Sequence, residues 1–331
     1  MYCGGNSMKK ILEVKNLKVH FELGGGMFKA KRVVHAVDGV DFDVFEGETL
    51  GIVGESGCGK SSLARALCGL NKITSGSALF DGKIDLAKAS SKEWNEVHKQ
   101  MQFIFQDPVA ALDPRMTVAE IISEPLITLY PDMKKDQVLQ KVLATMKLVG
   151  LTQNQVNRYP QEFSGGQCQR IGIARALILE PKILICDESV SALDVSIKAQ
   201  IINLLQELQQ QLKLTILFIS HDLGVVKHIC KRILVMYLGN IMELGNKQTI
   251  YNNTLHPYTK ALLSAVPVAN PTLEKTKQIQ LLEGDLPSPV NPPKGCVFST
   301  RCPQAEDRCR ASRPEGKIVQ EHFVTCFKAV S

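Results

Sequence analysis

One short stretch limits the possible folds more than any other: Gly54-Glu55-Ser56-Gly57-Cys58-Gly59-Lys60-Ser61, followed by Ser62. It fits Gly-x4-Gly-Lys-Ser/Thr. A short apolar run, Thr49 to Val53, precedes it, and helix-period sequence from Lys60 to Leu70 follows. Glycines let a backbone turn its N–H groups inward around phosphate oxygens, and a helix that follows points its positive end at the same anion. In that geometry Lys60 reaches β- and γ-phosphates, the Ser61 hydroxyl ligates Mg2+, and Ser62 donates to an α-phosphate. Chance supplies such a match on the order of once per hundred chains of this length. Strand, glycine loop and helix in succession open an α/β domain on a parallel sheet.

The remaining pattern agrees with that class. Ile11–Phe21 and Val33–Phe45 read as strands on either side of a Gly-Gly-Gly turn at 24–26, and Met101–Phe105 reads as a buried strand. From Thr117 to about Leu179 the character changes. Val138–Val149 and Gln169–Leu179 carry helix-period apolar residues, so a helical subdomain over about 115–180 is expected inside the α/β core. The short β-rich runs Ile183–Cys186 and Thr215–Ile219 flank the amphipathic stretch Val195–Leu212, which is strand, helix, strand. Ile233–Val235 and Ile241–Leu244 read as closing strands. Beyond about residue 246 the sequence shifts again, with a helix over Tyr258–Val266 and a Pro-rich polar arm at Asn270–Pro293. The expected division is a nucleotide-binding domain at 9–250 and a C-terminal extension at 251–331.

Composition narrows the function classes. The formal net charge, 39 − 33 = +6, is mild and spread along the chain, which suits nucleotide phosphates or lipid headgroups. No block of like charges resembles a nucleic-acid arm, so no nucleic-acid partner is expected. No apolar run reaches the roughly 18–20 residues that span a bilayer. The richest, Ile171–Cys186, is broken by Arg175, Glu180 and Lys182. Met1–Lys10 lacks the apolar centre of a secretory signal, so Cys3 does not read as a lipoprotein cysteine and a cytosolic chain is expected.

Further candidates follow the strands. Ile183-Leu-Ile-Cys-Asp187-Glu188 is an apolar run ending in two acids. In a parallel sheet, strand C-termini line the ligand crevice. There Asp187 would hold Mg2+, directly or through water, and Glu188 would polarise the attacking water. Both could instead cap the helix that follows. His221 lies just past Thr215–Ile219, placed for a γ-phosphate contact, although a buried structural histidine or a cap is the plain alternative. Gln106 follows Met101–Phe105 in the same way and could bridge metal and water. Phe163-Ser164-Gly165-Gly166-Gln167, followed by Gln169-Arg170, is a glycine pair at a helix start with donors free for a phosphate, or a simple Ser/Gly cap.

The order of these elements, completed by Ser191-Ala-Leu-Asp194, closely resembles the nucleotide-binding subunits of ABC transporters over about residues 9–265. The resemblance implies a P-loop NTPase fold of ABC type, MgATP as substrate, and two cassettes that sandwich two nucleotides. Ser164, Gly165, Gly166 and Gln167 would then act on the facing cassette's ATP, and Asp194 would couple the two sites. Phe21 lies where the family places an aromatic on adenine; it keeps the π-face and loses only a hydroxyl. Departures are small: Phe163 for Leu, Cys168 for a polar residue, and Ser189 where Pro often stands. A competent ATPase is therefore expected.

His35-Ala-Val-Asp-Gly-Val, Gln106-Asp-Pro with Asp113-Pro-Arg-Met-Thr, and His256-Pro-Tyr resemble the F-type ATPase subunits of oligopeptide and dipeptide permeases. Nickel and other solute importers share most of this pattern, and a soluble ABC ATPase is a more distant alternative. By this resemblance the partners are a second, related ATPase in a heterodimer, two membrane permease subunits and an external solute-binding protein. The chain would sit peripherally on the cytoplasmic face of the membrane. The helical subdomain and the Gln106 loop would receive a short permease helix, with ATP closing the dimer and hydrolysis reopening it.

Ten cysteines are many. Cys3, Cys58, Cys68, Cys168, Cys186 and Cys230 are scattered and read as small core residues. Cys296, Cys302, Cys309 and Cys326 cluster. Four thiolates at that spacing could bind Zn2+ or a 4Fe–4S cluster, or could stay free with one disulfide. The permease resemblance implies a 4Fe–4S cluster. Arg301, Arg308, Arg310 and Arg313 would offset thiolate charge or form a solvated face.

Overall fold

A computed structural model describes residues 9–24, 32–267, 277–320 and 322–329. Cys3, most of the Gly-Gly-Gly turn and positions 270–276 of the expected arm lie outside the described residues. Along the chain the elements are β1 (Lys10–Leu23), β2 (Arg32–Phe45), β3 (Thr49–Val53), α1 (Lys60–Leu67), β4 (Ser75–Phe80), β5 (Ile84–Asp85), α2 (Ser91–Gln100) and β6 (Met101–Ile104). Then come α3 (Val118–Leu129), α4 (Lys135–Leu148), α5 (Gly165–Leu177), β7 (Ile183–Asp187), α6 (Val195–Leu212), β8 (Thr215–Ile219) and α7 (Leu223–Ile229). The last are β9 (Arg232–Tyr237), β10 (Asn240–Asn246), α8 (Lys247–Asn252), α9 (Pro257–Ser264), α10 (Asp307–Ala311), β11 (Lys317–Val319) and β12 (His322–Val324). They divide into two compact units, Met1–Phe45, Thr49–Lys88 and Ser220–Ser331 in the first, Glu46–Glu48 and Ala89–Ile219 in the second.

In the first unit an antiparallel sheet runs β2-β1-β4-β5. Ile11, Leu12, Val14, Leu17 and Val19 of β1 are buried, and Phe21 near its end is partly exposed. A second set of strands runs β11-β12-β10-β9-β3. β3 is parallel to β9, and every residue of both is buried, as continuous apolar runs require when a strand is covered on both faces. β9 returns as β10 through Leu238 and Gly239, both at positive φ (43° and 74°). Two such residues give the hairpin turn whose twist matches its strands. The extension is built onto this framework. Tyr258 and Phe298 pack edge-on with Tyr237 of β9, ring centres 4.8 and 5.2 Å away, and lie tilted 5.4 Å from each other. Each such pair adds about 0.5–1.5 kcal/mol beyond burial. β12 pairs with β10, and its buried His322 lies 2.7 Å from the buried Glu243 carboxylate.

In the second unit β8, β7 and β6 are adjacent and parallel, with Ile183 opposite both Met101 and Thr215. β7 and β8 are wholly buried. α3, α4 and α5 turn Val118, Ile122, Val142, Met146, Ile171 and Ile173 into a helical core. α6 follows its predicted bounds and buries Ile201, Leu204, Leu205 and Leu208.

Some elements differ from the sequence reading. The helix predicted over Lys60–Leu70 ends at Leu67, because the chain turns through Gly69 at φ 75°. β4, α2, α7 and α8 were not anticipated. α2 and α3 begin with reciprocal caps, Ser90 with Glu93 and Thr117 with Glu120, a signal that was present in the sequence.

Candidate nucleotide site

The phosphate loop lies in the first unit and its glycines are obligatory. A Cβ on Gly54 (φ 153°) would fall 2.2 Å from the Met236 carbonyl oxygen, and one on Gly59 (φ 105°) 2.1 Å from that of Ala36. No side chain fits at either position. Gly239 of the hairpin donates its N–H to the Cys58 carbonyl at 2.9 Å. Lys60 is buried, and its Nζ donates to the carbonyls of Gly54 (2.8 Å) and Glu55 (2.9 Å). Its ammonium thus points into the loop. α1 starts at Lys60 behind Gly59, which offers no side-chain cap, so a bound anion can take up the first-turn N–H groups. Burial raises the Cys58 thiol pKa, against the pull of Lys60, and keeps it a neutral packing group.

Two other predicted residues belong to this unit. Phe21 presents a partly exposed ring. Ser220 donates its N–H to Ile52 of β3 at 3.2 Å, and Asp222 caps α7 through Val225. These bonds hold the exposed His221 at the end of the strand that feeds the loop.

The second unit holds the rest. Asp187 ends β7 and is 1% exposed. Glu188 adopts a left-handed conformation (φ 47°), which costs a non-glycine residue of order 1 kcal/mol or more. Three bonds hold it there: its N–H donates to Ile219 (3.0 Å), and its carbonyl accepts from the Ser191 N–H (3.0 Å) and hydroxyl (2.8 Å). Its carboxylate accepts from Gln106 Nε2 at 3.3 Å. Gln106 and Glu188, separate candidates in the sequence, are thus in contact across 82 residues.

Ser164 is the N-cap of α5. Its hydroxyl accepts from the Gln167 N–H (3.4 Å), and Gln167 Oε1 accepts from the Ser164 N–H (3.0 Å). Gly166 is tightly packed, since a Cβ there would sit 2.4 Å from Ile197 Cγ2. Ser164, Gly165 and Asp194 are exposed, and Val195 beside Asp194 is 84% exposed.

Cys296, Cys302, Cys309 and Cys326 line one cavity with Phe298, Ser299 and Phe327. All four are free thiols, so the disulfide alternative is not realised. Among the described residues, the His/Cys/Asp/Glu trio whose ligand atoms lie within 4.8 Å of one another is His20, His35 and Asp38, not any three of these sulfurs. Burial pushes the Cys296 thiol up to about 11, and a backbone hydrogen bond from Phe298 opposes it. Cys302 is raised by burial and opposed likewise by Gln304. Cys58, Cys68, Cys168, Cys186 and Cys230 are buried core residues, as the sequence suggested.

Of the nearby arginines, read from the sequence as thiolate counter-charges or a solvated face, Arg308, Arg310 and Arg313 are exposed, and all four pair with carboxylates. Arg301 binds Glu55 (2.7 Å), Arg308 Glu306 (2.9 Å), Arg310 Asp307 (3.3 Å) and Arg313 Asp38 (3.0 Å). Arg301 and Tyr258, whose hydroxyl accepts the Glu55 N–H at 2.9 Å, both contact the loop, a link that the sequence reading does not contain.

Comparison with known proteins gives the same picture. The ABC transporter family model matches residues 37–191, and the model of the oligopeptide/dipeptide transporter C-terminal region matches 242–309. The oligopeptide transport ATP-binding proteins OppF of Salmonella typhimurium strain LT2 and Escherichia coli K12 are each 58% identical over 97% of this chain and 96% of their own. The chain belongs to the ABC transporter ATP-binding family. The OppF protein of Haemophilus influenzae is 56% identical over 98% of this chain and 99% of its own. Among solved structures, a dimeric ATP-binding cassette in a post-hydrolysis state with ADP and phosphate superposes with TM-score 0.63 at 28% identity, covering 71% of this chain and 98% of that one. The cbiO1 cassette of Clostridium perfringens, part of the cbiONQ transporter complex, gives 0.64 at 29%, covering 74% and 92%. The chain is accordingly an ATP-binding cassette with the ATPase fold. Among the described residues no helix is long and apolar enough to cross a membrane.

Proposed function

We propose that this ATPase energises the import of oligopeptides or dipeptides, with its membrane-spanning parts on separate permease chains. The observation that carries the reading is the near full-length identity to OppF proteins, which extends through the C-terminal region. The chain would lie on the cytoplasmic face of the membrane and pair with a second ATPase, two permease subunits and an external solute-binding protein. The dimer seen in the related cassette supports the facing arrangement.

In this reading Phe21 stacks on adenine, Lys60 and the loop amides from Gly54 to Ser62 hold the phosphates, and His221 contacts the γ-phosphate. Ser61, Gln106 and Asp187 are the residues that would hold Mg2+, which supplies charge neutralisation at the phosphates. Glu188 polarises the attacking water, oriented by its contact with Gln106. Ser164, Gly165 and Asp194, which are exposed, act with Gly166 and Gln167 on the partner cassette's nucleotide. The test is Glu188→Gln in the complex reconstituted with its permeases. ATP binding should persist while peptide-stimulated hydrolysis falls at least a hundredfold. Unchanged hydrolysis removes Glu188 from this role, and hydrolysis indifferent to peptide-loaded binding protein removes peptide import.

The four thiols support a resident 4Fe–4S cluster more than zinc. Tetrahedral zinc with Zn–S of about 2.3 Å needs sulfurs about 3.8 Å apart, whereas no three of these lie within 4.8 Å. All four nevertheless line one small cavity. Anaerobic purification should give iron and acid-labile sulfide in equal amounts. Zinc alone, or no metal, would refute the reading.

A further inference from the structure

We propose that Arg301 and Tyr258, both from the C-terminal extension, are positioning residues of the nucleotide site, holding Glu55 and with it the first turn of the phosphate loop. Every polar group of Glu55 is engaged. Its N–H donates to the Tyr258 hydroxyl (2.9 Å), its carbonyl accepts from Lys60 Nζ (2.9 Å), and its carboxylate accepts from Arg301 Nη1 (2.7 Å). The Arg301 side chain is 9% exposed and that of Glu55 27%, so the charge pair is largely shielded from water. Both anchors are themselves fixed. Tyr258 is fully buried against Tyr237 and Phe298. Arg301 sits in the turn that lines the cysteine cavity and donates its N–H to the Phe298 carbonyl at 3.1 Å. The arm also passes close to the loop: Leu286 Cδ2 lies 3.8 Å from the position a Cβ would take on Gly57.

Two consequences follow for nucleotide binding. Glu55 stands between Gly54 and Gly57, in a loop whose glycines give it many alternative conformations. Apparent affinity is divided by the fraction of molecules in the binding-competent conformation, so an anchor at Glu55 acts directly on it. When Lys60 leaves the loop carbonyls to reach phosphate, Tyr258 and Arg301 still hold the turn. The second consequence is electrostatic. A carboxylate in the loop that receives a polyanion opposes binding unless it is neutralised, and Arg301 supplies the neutralising charge. Both effects have the same sign. The C-terminal extension is therefore part of the ATP site as well as a neighbour of it.

The proposal rests on residues 54–62 being the nucleotide's phosphate loop; a Lys60→Ala control and ATP binding by the wild type test that premise separately. The experiment uses the full chain, with a fluorescent ATP analogue for Kd, steady-state hydrolysis for kcat and KM, and thermal melting. Arg301→Met should raise Kd and KM about tenfold, equivalent to about 1.4 kcal/mol, with kcat changed less than about twofold. Arg301→Lys should recover part of the loss. Tyr258→Phe, which removes one hydroxyl from a buried ring, should raise Kd about threefold. Adding Glu55→Gln to Arg301→Met should restore affinity toward wild type, because the lone carboxylate is gone. A role confined to folding would lower the melting temperature with no such charge-dependent recovery. Kd within about twofold of wild type in both Arg301→Met and Tyr258→Phe, or no relief by Glu55→Gln, overturns the proposal. If Arg301→Met fails to fold, unchanged Kd in Arg301→Lys and Tyr258→Phe does so.

Discussion

Acidification should loosen the attachment of the C-terminal extension through one side chain, His256. It is 1% exposed, its Nδ1 accepts the Tyr258 N–H at 3.1 Å and so caps α9, and its own N–H donates to Glu243. Burial drives its pKa down to about 4, against the opposing pull of the Glu243 charge. An unfolded histidine titrates near 6.5. Between about 4 and 6.5 the unfolded chain therefore binds the extra proton, and stability must fall as pH falls through that interval. The full effect is about 3 kcal/mol, of which about 2 kcal/mol is expressed by pH 5. Glu243 does not intrude. Although burial raises its pKa, its hydrogen bonds from His322 and the Leu255 N–H outweigh that and lower it. Its contribution is present above the usual carboxylate range and is lost only as pH falls below it. His256→Asn keeps a short acceptor for the cap but cannot titrate. Urea midpoints measured from pH 7.5 to 5 should show the wild type losing about 2 kcal/mol more than His256→Asn. Parallel profiles would refute the reasoning.

Three further outcomes are expected. Gly166→Ala should lower ATPase activity and cost about 1–3 kcal/mol by overpacking, because its Cβ would meet Ile197 Cγ2 at 2.4 Å; Ile197→Ala should restore much of both, measured by turnover and melting. Phe21→Ala should weaken ATP binding by about 1–2 kcal/mol through lost base stacking, while triphosphate alone is bound as before in a competition titration. Gly54→Ala should abolish nucleotide binding even if the chain folds, since the Met236 carbonyl oxygen lies 2.2 Å from the added carbon, and wild-type Kd in that variant would contradict the loop geometry.

Much of the framework is legible because it depends on local patterns. β3, β7 and β8 are uninterrupted apolar runs, and each is wholly buried. α6 announces itself by period over 18 residues. The phosphate loop is legible for a stricter reason: Gly54 and Gly59 are set at positive φ with carbonyl oxygens closer than any Cβ allows, and such positions admit only one residue type. α2 escaped notice because its apolar face is a single buried Val97, so the capping box at Ser90 was the stronger signal. β4 and α7 are short, and their burial is decided by what packs on them.

The contacts that tie the extension to the site could not be read from the sequence, and the reason is separation along the chain. Glu55 meets Arg301 across 246 residues and Tyr258 across 203. Arg301 looks in sequence like one of four equivalent basic residues near four cysteines. In the fold it is the one whose carboxylate partner lies in the phosphate loop, while Arg308 and Arg310 pair with exposed neighbours on or beside α10. Exposed pairs of that kind contribute about 0–1 kcal/mol. A pair shielded as Glu55–Arg301 is worth more to whatever it positions than to folding, because replacing both members by apolar groups is often harmless while removing one is not. That asymmetry is why the Glu55→Gln relief of Arg301→Met discriminates: a site held by charge pairing recovers when the orphaned carboxylate is removed, and a site held by packing alone does not.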